Sequence, residues 1–299
     1  MPELPEVETV RSGLAAHLVG AIVQGITVLD ARSLKRNPAG PDGFISELTG
    51  SKISAVARRG KFLWFPISES RALVGHLGMS GQVLVRSRNF SPDPQTRVVI
   101  EITGVNGDEL EIRFVDQRLF GGLMIDSLTE IDSGEAGYSP EARIGNLIPE
   151  SVAHISRDLL DPLFNIDAVV EKISKKNSGI KRVLLDQAVL SGIGNIYADE
   201  TLWLAKTHFD QPASSLSRKK IREIILIATD VLNKAVAQGG TSFDEQYKNV
   251  NGESGYFSQS LNAYGQAGEK CPRCQNQITR VAWANRGSHF CPNCQKLKA

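Results

Sequence analysis

The sequence predicts an α+β chain with a β-sandwich domain first, a helical domain second and a small cysteine-rich ribbon last. Three observations predict it. Short strand-like segments broken by Gly, Pro, Asn and Asp run from about 21 to 130. Helical periodicity replaces them from about 151. Four cysteines close the chain as two Cys-x₂-Cys pairs.

The elements follow in order. Apolar residues at 7, 10, 14 and 18 form one stripe of a first helix, Val7–Leu18. Glu6 falls near the edge of that stripe, and Glu8 is expected to point away from it. A carboxylate at the edge would be partly desolvated, which raises its pKa and suits acid–base work. The strand candidates are Ala21–Leu29, Lys52–Ala57, Lys61–Ile67, Ala72–Leu77, Gln82–Arg86, Arg97–Thr103, Glu109–Val115 and Gly122–Ile125. Such a series argues for an antiparallel sandwich or barrel. Asp132-Ser-Gly-Glu-Ala-Gly137 reads as a loop or linker. Helices are then expected at Asp167–Lys176, Ile180–Leu190, Ile196–Ala205 and Ser217–Gln238. The last opens on Ser217 as a cap and stops at Gly239-Gly240. Thr241–Tyr264 is polar and Gly-rich and reads as a mobile loop. The expected divisions are 1–131, a linker at 132–150, then 151–240, 241–264 and 265–299.

At 299 residues the chain is long enough for two cores. No apolar run approaches ~18 residues, so no membrane span is expected. Nothing at the start resembles a signal peptide, and a cytoplasmic place is expected. The net charge of +1 excludes little. Its distribution says more: Lys270, Arg273, Arg280, Arg286, Lys296 and Lys298 close the chain with no acidic residue among them. A second basic run is Lys172, Lys175, Lys176, Lys181 and Arg182. Both fit nucleic-acid contact on one face, with solvated surface charge as the plainer alternative.

Two motifs carry chemistry. The first is Met1-Pro2-Glu3-Leu4-Pro5-Glu6. A Pro at position two lets the initiator Met be removed, leaving a secondary amine at Pro2. An α-amine titrates near ~7.7–8.0, so part of it is an unprotonated nucleophile at neutral pH. It can attack a carbonyl-like carbon and form a Schiff base, with Glu3 and Glu6 beside it to manage protons. The bland alternative is Pro5 opening a helix whose first turn favours acidic residues. The second motif is Cys271-Pro-Arg-Cys274, a gap from 275 to 290, and Cys291-Pro-Asn-Cys294. This spacing suits one tetrahedral zinc ion held by four thiolates, a closed and therefore structural site. Two disulfides are the alternative, disfavoured by the lack of a signal peptide.

Together these residues closely resemble the formamidopyrimidine-DNA glycosylase/endonuclease VIII family. The matching motifs are Pro2–Glu8, Arg59-Gly-Lys-Phe-Leu63, His76-Leu-Gly-Met-Ser-Gly81, Asp116-Gln-Arg-Leu-Phe-Gly121, Ser191-Gly-Ile-Gly-Asn-Ile-Tyr197, Gly252–Phe257, Ala263-Tyr-Gly265 and the ribbon. They span nearly the whole chain in family order. The resemblance implies a bacterial DNA-repair enzyme that excises 8-oxoguanine and formamidopyrimidines and then cuts the strand by β,δ-elimination. It implies a helix-two-turn-helix in the second domain, a lesion-recognition loop at 241–264, and damaged duplex DNA lying in a cleft between two domains of a monomer. By the same resemblance, Pro2 attacks C1′, Glu3 manages protons at the sugar, Glu6 supports ring opening, and Lys61 holds a phosphate beside the lesion. Met79, Arg118 and Phe120 would fill the hole left by a flipped nucleotide. His76, Asn195, Tyr264 and Arg286 would hold phosphates, and Lys181 would approach the lesion. One departure stands out: Leu119 occupies a position where the family often has a second arginine. The competing readings are an oxidised-pyrimidine glycosylase of the endonuclease VIII type and a non-catalytic zinc-ribbon DNA-binding protein.

Overall fold

A computed structural model describes residues 2–132, 134–241, 249–253 and 255–298. Two compact units emerge. The first comprises residues 1–154 and 239–256, the second 155–238 and 257–299. Because the chain leaves the first unit and returns to it, the boundary is not a single cut.

The first unit carries two antiparallel sheets. Strands β1 (Ile22–Val28), β5 (Gly81–Ser87), β6 (Thr96–Thr103) and β7 (Glu109–Asp116) form one, in the order β1-β6-β7-β5. Strands β2 (Ala57–Arg59), β3 (Phe62–Pro66), β4 (Arg71–His76), β8 (Gly122–Glu130) and β9 (Leu147–Pro149) form the other in sequence order. Alternation along β6 buries Val98, Ile100 and Ile102 and leaves their neighbours half-exposed. These side chains meet Leu63, Phe65, Leu73, Leu123 and Ile125 of the facing sheet, so the core lies between the sheets as in a sandwich. A residual apolar cavity of about 30 Å³ remains there.

Helix α1 (Leu4–Leu18) lays Val7, Val10 and Leu14 into this core. Helix α2 (Gly40–Leu48) adds Phe44 and Leu48. The sequence pattern missed α2 because Gly40-Pro41-Asp42-Gly43 looks like turn punctuation. Pro41 instead opens the helix, where its missing N–H costs nothing.

Three further expectations need correction. Lys52–Ala57 is not a strand; Lys52 makes an isolated bridge to Ile22, and β2 begins at Ala57. Glu8 does not face solvent. It is 8% exposed and takes hydrogen bonds from Arg11 (3.0 Å) and Arg58, the latter wholly buried. Arg11 also reaches Glu141, and Arg58 lies over the Tyr138 ring at 4.9 Å. The stretch 132–150, expected as a linker, is therefore part of the first unit. Tyr138 and Arg58 exchange backbone hydrogen bonds of 2.8 and 3.1 Å, and Leu147–Pro149 pairs with β8.

The second unit begins with α3 (Ile166–Ser174) and α4 (Ile180–Leu184), then α5 (Asn195–Leu204) and α6 (Arg218–Ala237). Ser217 caps α6 by accepting from the Lys220 N–H at 3.2 Å. Ile221, Ile224, Ile225, Ala228, Val231, Leu232 and Ala235 form the buried stripe of α6 at helical spacing. Helix α4 stops well short of Leu190. Gln187 offers the backbone better partners: its amide nitrogen donates to Leu185 O and Ile193 O, and its oxygen accepts from the Gly192 N–H at 2.9 Å. That turn delivers Asn195 to the start of α5. A hairpin of β10 (Thr279–Trp283) and β11 (Arg286–Phe290) completes the unit. Its two-residue turn, Ala284-Asn285, has positive φ at both positions, the twist that a tight hairpin requires. Among the described residues no helix is long and apolar enough to cross a membrane.

Of the stretch 241–264, residues 242–248 and Ser254 lie outside the described residues. Within the described part, Val250 belongs to the first unit's core, and its carbonyl accepts from the Val85 N–H at 2.9 Å. Phe257 and Leu261 are buried in the second unit.

The Glu8 network gives a stability test. Removing one partner of a buried charge cluster leaves the others uncompensated, at a cost of about 3–5 kcal/mol. Glu8→Ala should lower the unfolding free energy by about that much in urea denaturation at pH 7. A change within about 0.5 kcal/mol would place Glu8 back on a solvated surface.

Candidate active site and zinc ribbon

In the first unit the N-terminal segment ends at α1. Pro2 is buried. Glu3, 1% exposed, is the N-cap, with extended backbone (φ −110°, ψ −168°). Glu6 lies three residues on and is equally buried. Its Oε2 accepts the Glu3 N–H at 2.8 Å, the return half of a capping box. Its Oε1 accepts both the N–H (2.7 Å) and the hydroxyl (2.9 Å) of Thr241. The contact needs Gly240, whose φ is +82° and where a Cβ would sit 2.8 Å from Glu6 Oε1. Met1 lies outside the described residues.

A second group gathers at one end of the sheets. Lys61 follows Gly60 in the β2–β3 turn, and Phe62 pairs in register with His76, which pairs with Gly122. Gly81 pairs with Asp116. Two loops, 77–80 and 117–121, meet there so closely that a Cβ on Gly78 would lie 2.3 Å from the Gly121 nitrogen. They carry Met79 (42% exposed), Arg118 and Phe120 (52%) outward. The Arg118 guanidinium touches Met79 Sδ at 4.0 Å.

Asp116, which pattern reading did not single out, holds these loops. Wholly buried, it accepts from the Ser80 hydroxyl (2.6 Å), the Arg118 N–H (3.1 Å) and the Gly121 N–H (2.8 Å). A carboxylate placed before an exposed turn is the signal that could have found it. Leu119 has φ +56°, and its carbonyl accepts from Lys35 Nζ at 3.1 Å. A lysine ammonium thus sits at the backbone of the residue that departs from the family arginine.

His76 packs its ring 4.8 Å from that of Phe62, and its Nδ1 accepts the Gly78 N–H at 3.1 Å. A neutral ring bonded in this way carries its proton on Nε2. Burial is the main reason its pKa falls, to about 4, with the charges of Arg36 and then Lys61 adding to the effect. His76 is therefore a neutral donor beside two cations, a setting that suits an anionic ligand.

In the second unit Asn195 opens α5 and donates to Gly287 O at 2.9 Å. Arg286 stands exposed at the start of β11, one residue away. Tyr264 packs edge-on against His289 at 4.8 Å. Its backbone N–H, with those of Asn262 and Ala263, points at the Glu200 carboxylate. Burial raises the Glu200 pKa, and those N–H bonds pull against the rise. Glu200, absent from the sequence expectations, is what sets Tyr264 in place.

Lys181 requires a correction. Expected to approach the lesion, it is 0% exposed, with Nζ 2.6 Å from Asp199 Oδ1 and 3.0 Å from Ser288 Oγ. A buried ammonium needs such a partner, and the pair joins α4, α5 and β11. Its place is structural within this unit.

The sulfur atoms of Cys271, Cys274, Cys291 and Cys294 all lie within 4.8 Å of one another. Cys274 and Cys291 are 3.4 Å apart, too far for a disulfide. Four Zn–S bonds of about 2.3 Å in a tetrahedron need spacings of this order. The residues fit one structural zinc. Gln295 braces the site, accepting the Cys291 N–H at 2.9 Å and donating to Thr207 O at 3.0 Å.

The His76 environment predicts a titration. Its folded pKa lies below 6.5, so the unfolded chain takes up the proton first and stability falls as pH drops from 6.5 towards 4. NMR titration of the imidazole should give a midpoint well below 6.5, raised by Arg36→Ala and less so by Lys61→Ala. An unshifted midpoint would contradict both the burial and the cation cluster.

Residues 1–123 match the formamidopyrimidine-DNA glycosylase N-terminal domain, 155–246 the formamidopyrimidine-DNA glycosylase H2TH domain, and 268–297 the zinc finger found in FPG and IleRS. The formamidopyrimidine-DNA glycosylase of Leifsonia xyli is 50% identical over 99% of this chain and 100% of its own. That of a Nocardioides species is 48% identical over 99% and 94%. A Lactococcus lactis FPG solved with DNA containing Fapy-dG superposes with a TM-score of 0.79 at 30% identity, covering 98% of this chain and 100% of that one. With three domain families matched in order and half the residues shared across full length, the chain belongs to the formamidopyrimidine-DNA glycosylase family.

Proposed function

We propose that the chain is a bifunctional DNA glycosylase and AP lyase of base-excision repair, acting on 8-oxoguanine and formamidopyrimidines in duplex DNA. The observation that carries the reading is the buried Pro2 at the mouth of α1, with Glu3 as its N-cap and Glu6 locked beneath, in a chain of this family. Removal of Met1 frees a secondary amine. The positive end of the α1 dipole disfavours its protonated form and so keeps the nucleophile available. The amine attacks C1′ of the flipped nucleotide, the glycosidic bond breaks, and the base leaves with its electron pair and takes up a proton. The C1′–O4′ bond then breaks, with Glu6 supporting this ring opening and O4′ taking up a proton, and the iminium that results acidifies the neighbouring sugar C–H. Glu3 moves protons there, and successive β- and δ-elimination release the strand on both sides.

The remaining residues position the DNA. Lys61 and the neutral Nε2–H of His76 hold phosphates next to the lesion. Met79 and Phe120 wedge into the stack, and Arg118 donates to the O2 and N3 of an orphaned cytosine. Asn195, Tyr264 and Arg286 take backbone phosphates on the second unit. Zinc holds the ribbon that carries Arg286. A cytoplasmic site of action follows from this substrate in a bacterial cell.

Borohydride trapping on a duplex with 8-oxoguanine opposite cytosine tests the reading. One covalent adduct mapping to Pro2 is expected. Pro2→Gly should lose most base excision, and Glu3→Gln should abolish it with DNA binding retained. An adduct mapped to Lys61 would refute the assignment, and faster excision of oxidised pyrimidines would favour the endonuclease VIII reading.

A further inference from the structure

The second unit holds a groove of about 380 Å³ between the α3–α4 connection, the C-terminal side of α4 and the β10–β11 hairpin tip. Lys176, Ser178, Arg182, Asp186, Trp283 and Arg286 line it. The basic run 172–182 supplies two of its cations, and the structure divides that run cleanly. Lys172 donates to the Ala188 carbonyl, Lys175 pairs with Glu171 at 3.0 Å, and Lys181 is buried on Asp199. Lys176 and Arg182 instead border the groove, together with Arg286 from the hairpin.

Three cations there face one carboxylate. Asp186 is only loosely engaged, 4.0 Å from Lys176, with both side chains 43% exposed. The Arg182 guanidinium carbon lies 5.5 Å from the Trp283 ring centroid. Stacking of this kind uses the flat face of the guanidinium and leaves its in-plane N–H donors available. It also fixes a long side chain in advance, so less entropy is lost when a ligand binds. The tight Ala284-Asn285 turn sets Trp283 and Arg286 opposite each other in register. A stacked planar donor, a half-exposed ammonium and a hydroxyl-bearing side chain in one positively charged concavity suit a phosphodiester oxygen pair.

We infer that this groove is a second backbone-phosphate subsite, built by Arg182 and Lys176, that grips a DNA phosphate other than the one held by Arg286. It rests on the reading of the second unit as a DNA-binding domain. It also explains why a chain of net charge +1 gathers three cations around one carboxylate there: the excess is matched by the ligand.

The test uses the full-length, zinc-loaded protein and an undamaged duplex, with binding followed by fluorescence anisotropy across salt concentrations. Each phosphate contact contributes about 0.9 to the slope of log K against log salt. The double variant Lys176→Ala/Arg182→Ala should flatten that slope by about 0.9. Lys176→Gln alone, at a half-exposed position, should flatten it in the same direction. Lys175→Ala should leave it unchanged, and zinc content reports that each variant keeps its ribbon. A double variant that runs parallel to the parent, or Lys175→Ala flattening the slope equally, overturns the subsite. Single methylphosphonate replacements then locate the contact. The replacement that erases the double variant's defect should differ from the one that erases the Arg286→Ala defect; if it is the same, there is one subsite and not two. Failure of Pro2 trapping would refute the glycosylase reading and leave this slope as a separate result.

Discussion

A buried carboxylate with three hydrogen-bond donors from two distant parts of the chain is the constraint on which the start of the first unit depends. Glu6 takes the Glu3 N–H on one oxygen and the N–H and hydroxyl of Thr241 on the other. Leaving any of these donors unpaired in the interior would cost about 1–3 kcal/mol. The start of α1 and the Gly240-Thr241 segment are therefore held together, and Pro2 inherits its position from Glu3. Chain termini ordinarily fray. Glu3, next to Pro2, is held by a side chain that its own helix places one turn further on.

The same device recurs wherever a functional loop must be stiff. Asp116 holds the loops that carry Met79, Arg118 and Phe120, Glu200 holds the backbone before Tyr264, and Gln187 shapes the turn before Asn195. Asp116 and Glu200 are buried acceptors that collect backbone N–H groups of an irregular segment, and Gln187 accepts one such N–H and donates to two carbonyls, in each case pairing backbone that has no ladder or helix to pair with. Met79, Arg118 and Phe120 stand exposed on a backbone whose N–H groups at Arg118 and Gly121 are already satisfied. His76 follows the converse rule. It gives its Nδ1 to a backbone N–H and so presents only a donor outward.

The parts legible in the sequence were those set by local spacing. The cysteine pairs fixed four ligands, alternation fixed most strands, and the stripe at 7, 10, 14 and 18 fixed α1. What escaped was set by partners far along the chain. Periodicity placed Glu8 outward, but Arg58, fifty residues later, draws it in. Lys181 read as one more charge in a basic run, and only Asp199 and Ser288 show why it is buried. Helix α2 was hidden by glycines and a proline whose turn-like character opens a helix. Thr241 could not be linked to Glu6, since nothing local ties residues 235 positions apart. The second-unit groove was legible only as a basic run, and the fold sorted that run into internal pairs and a cationic wall.

The central claim is that Glu6 clamps the Pro2-Glu3 segment to Gly240-Thr241. Amide hydrogen exchange of Glu3 and Thr241, measured by NMR in the parent and in Glu6→Ala, tests it most directly. An alanine leaves neither N–H an acceptor, so both amides should lose protection together. If Thr241 loses protection while Glu3 keeps it, the clamp does not exist and the position of Pro2 must have another origin.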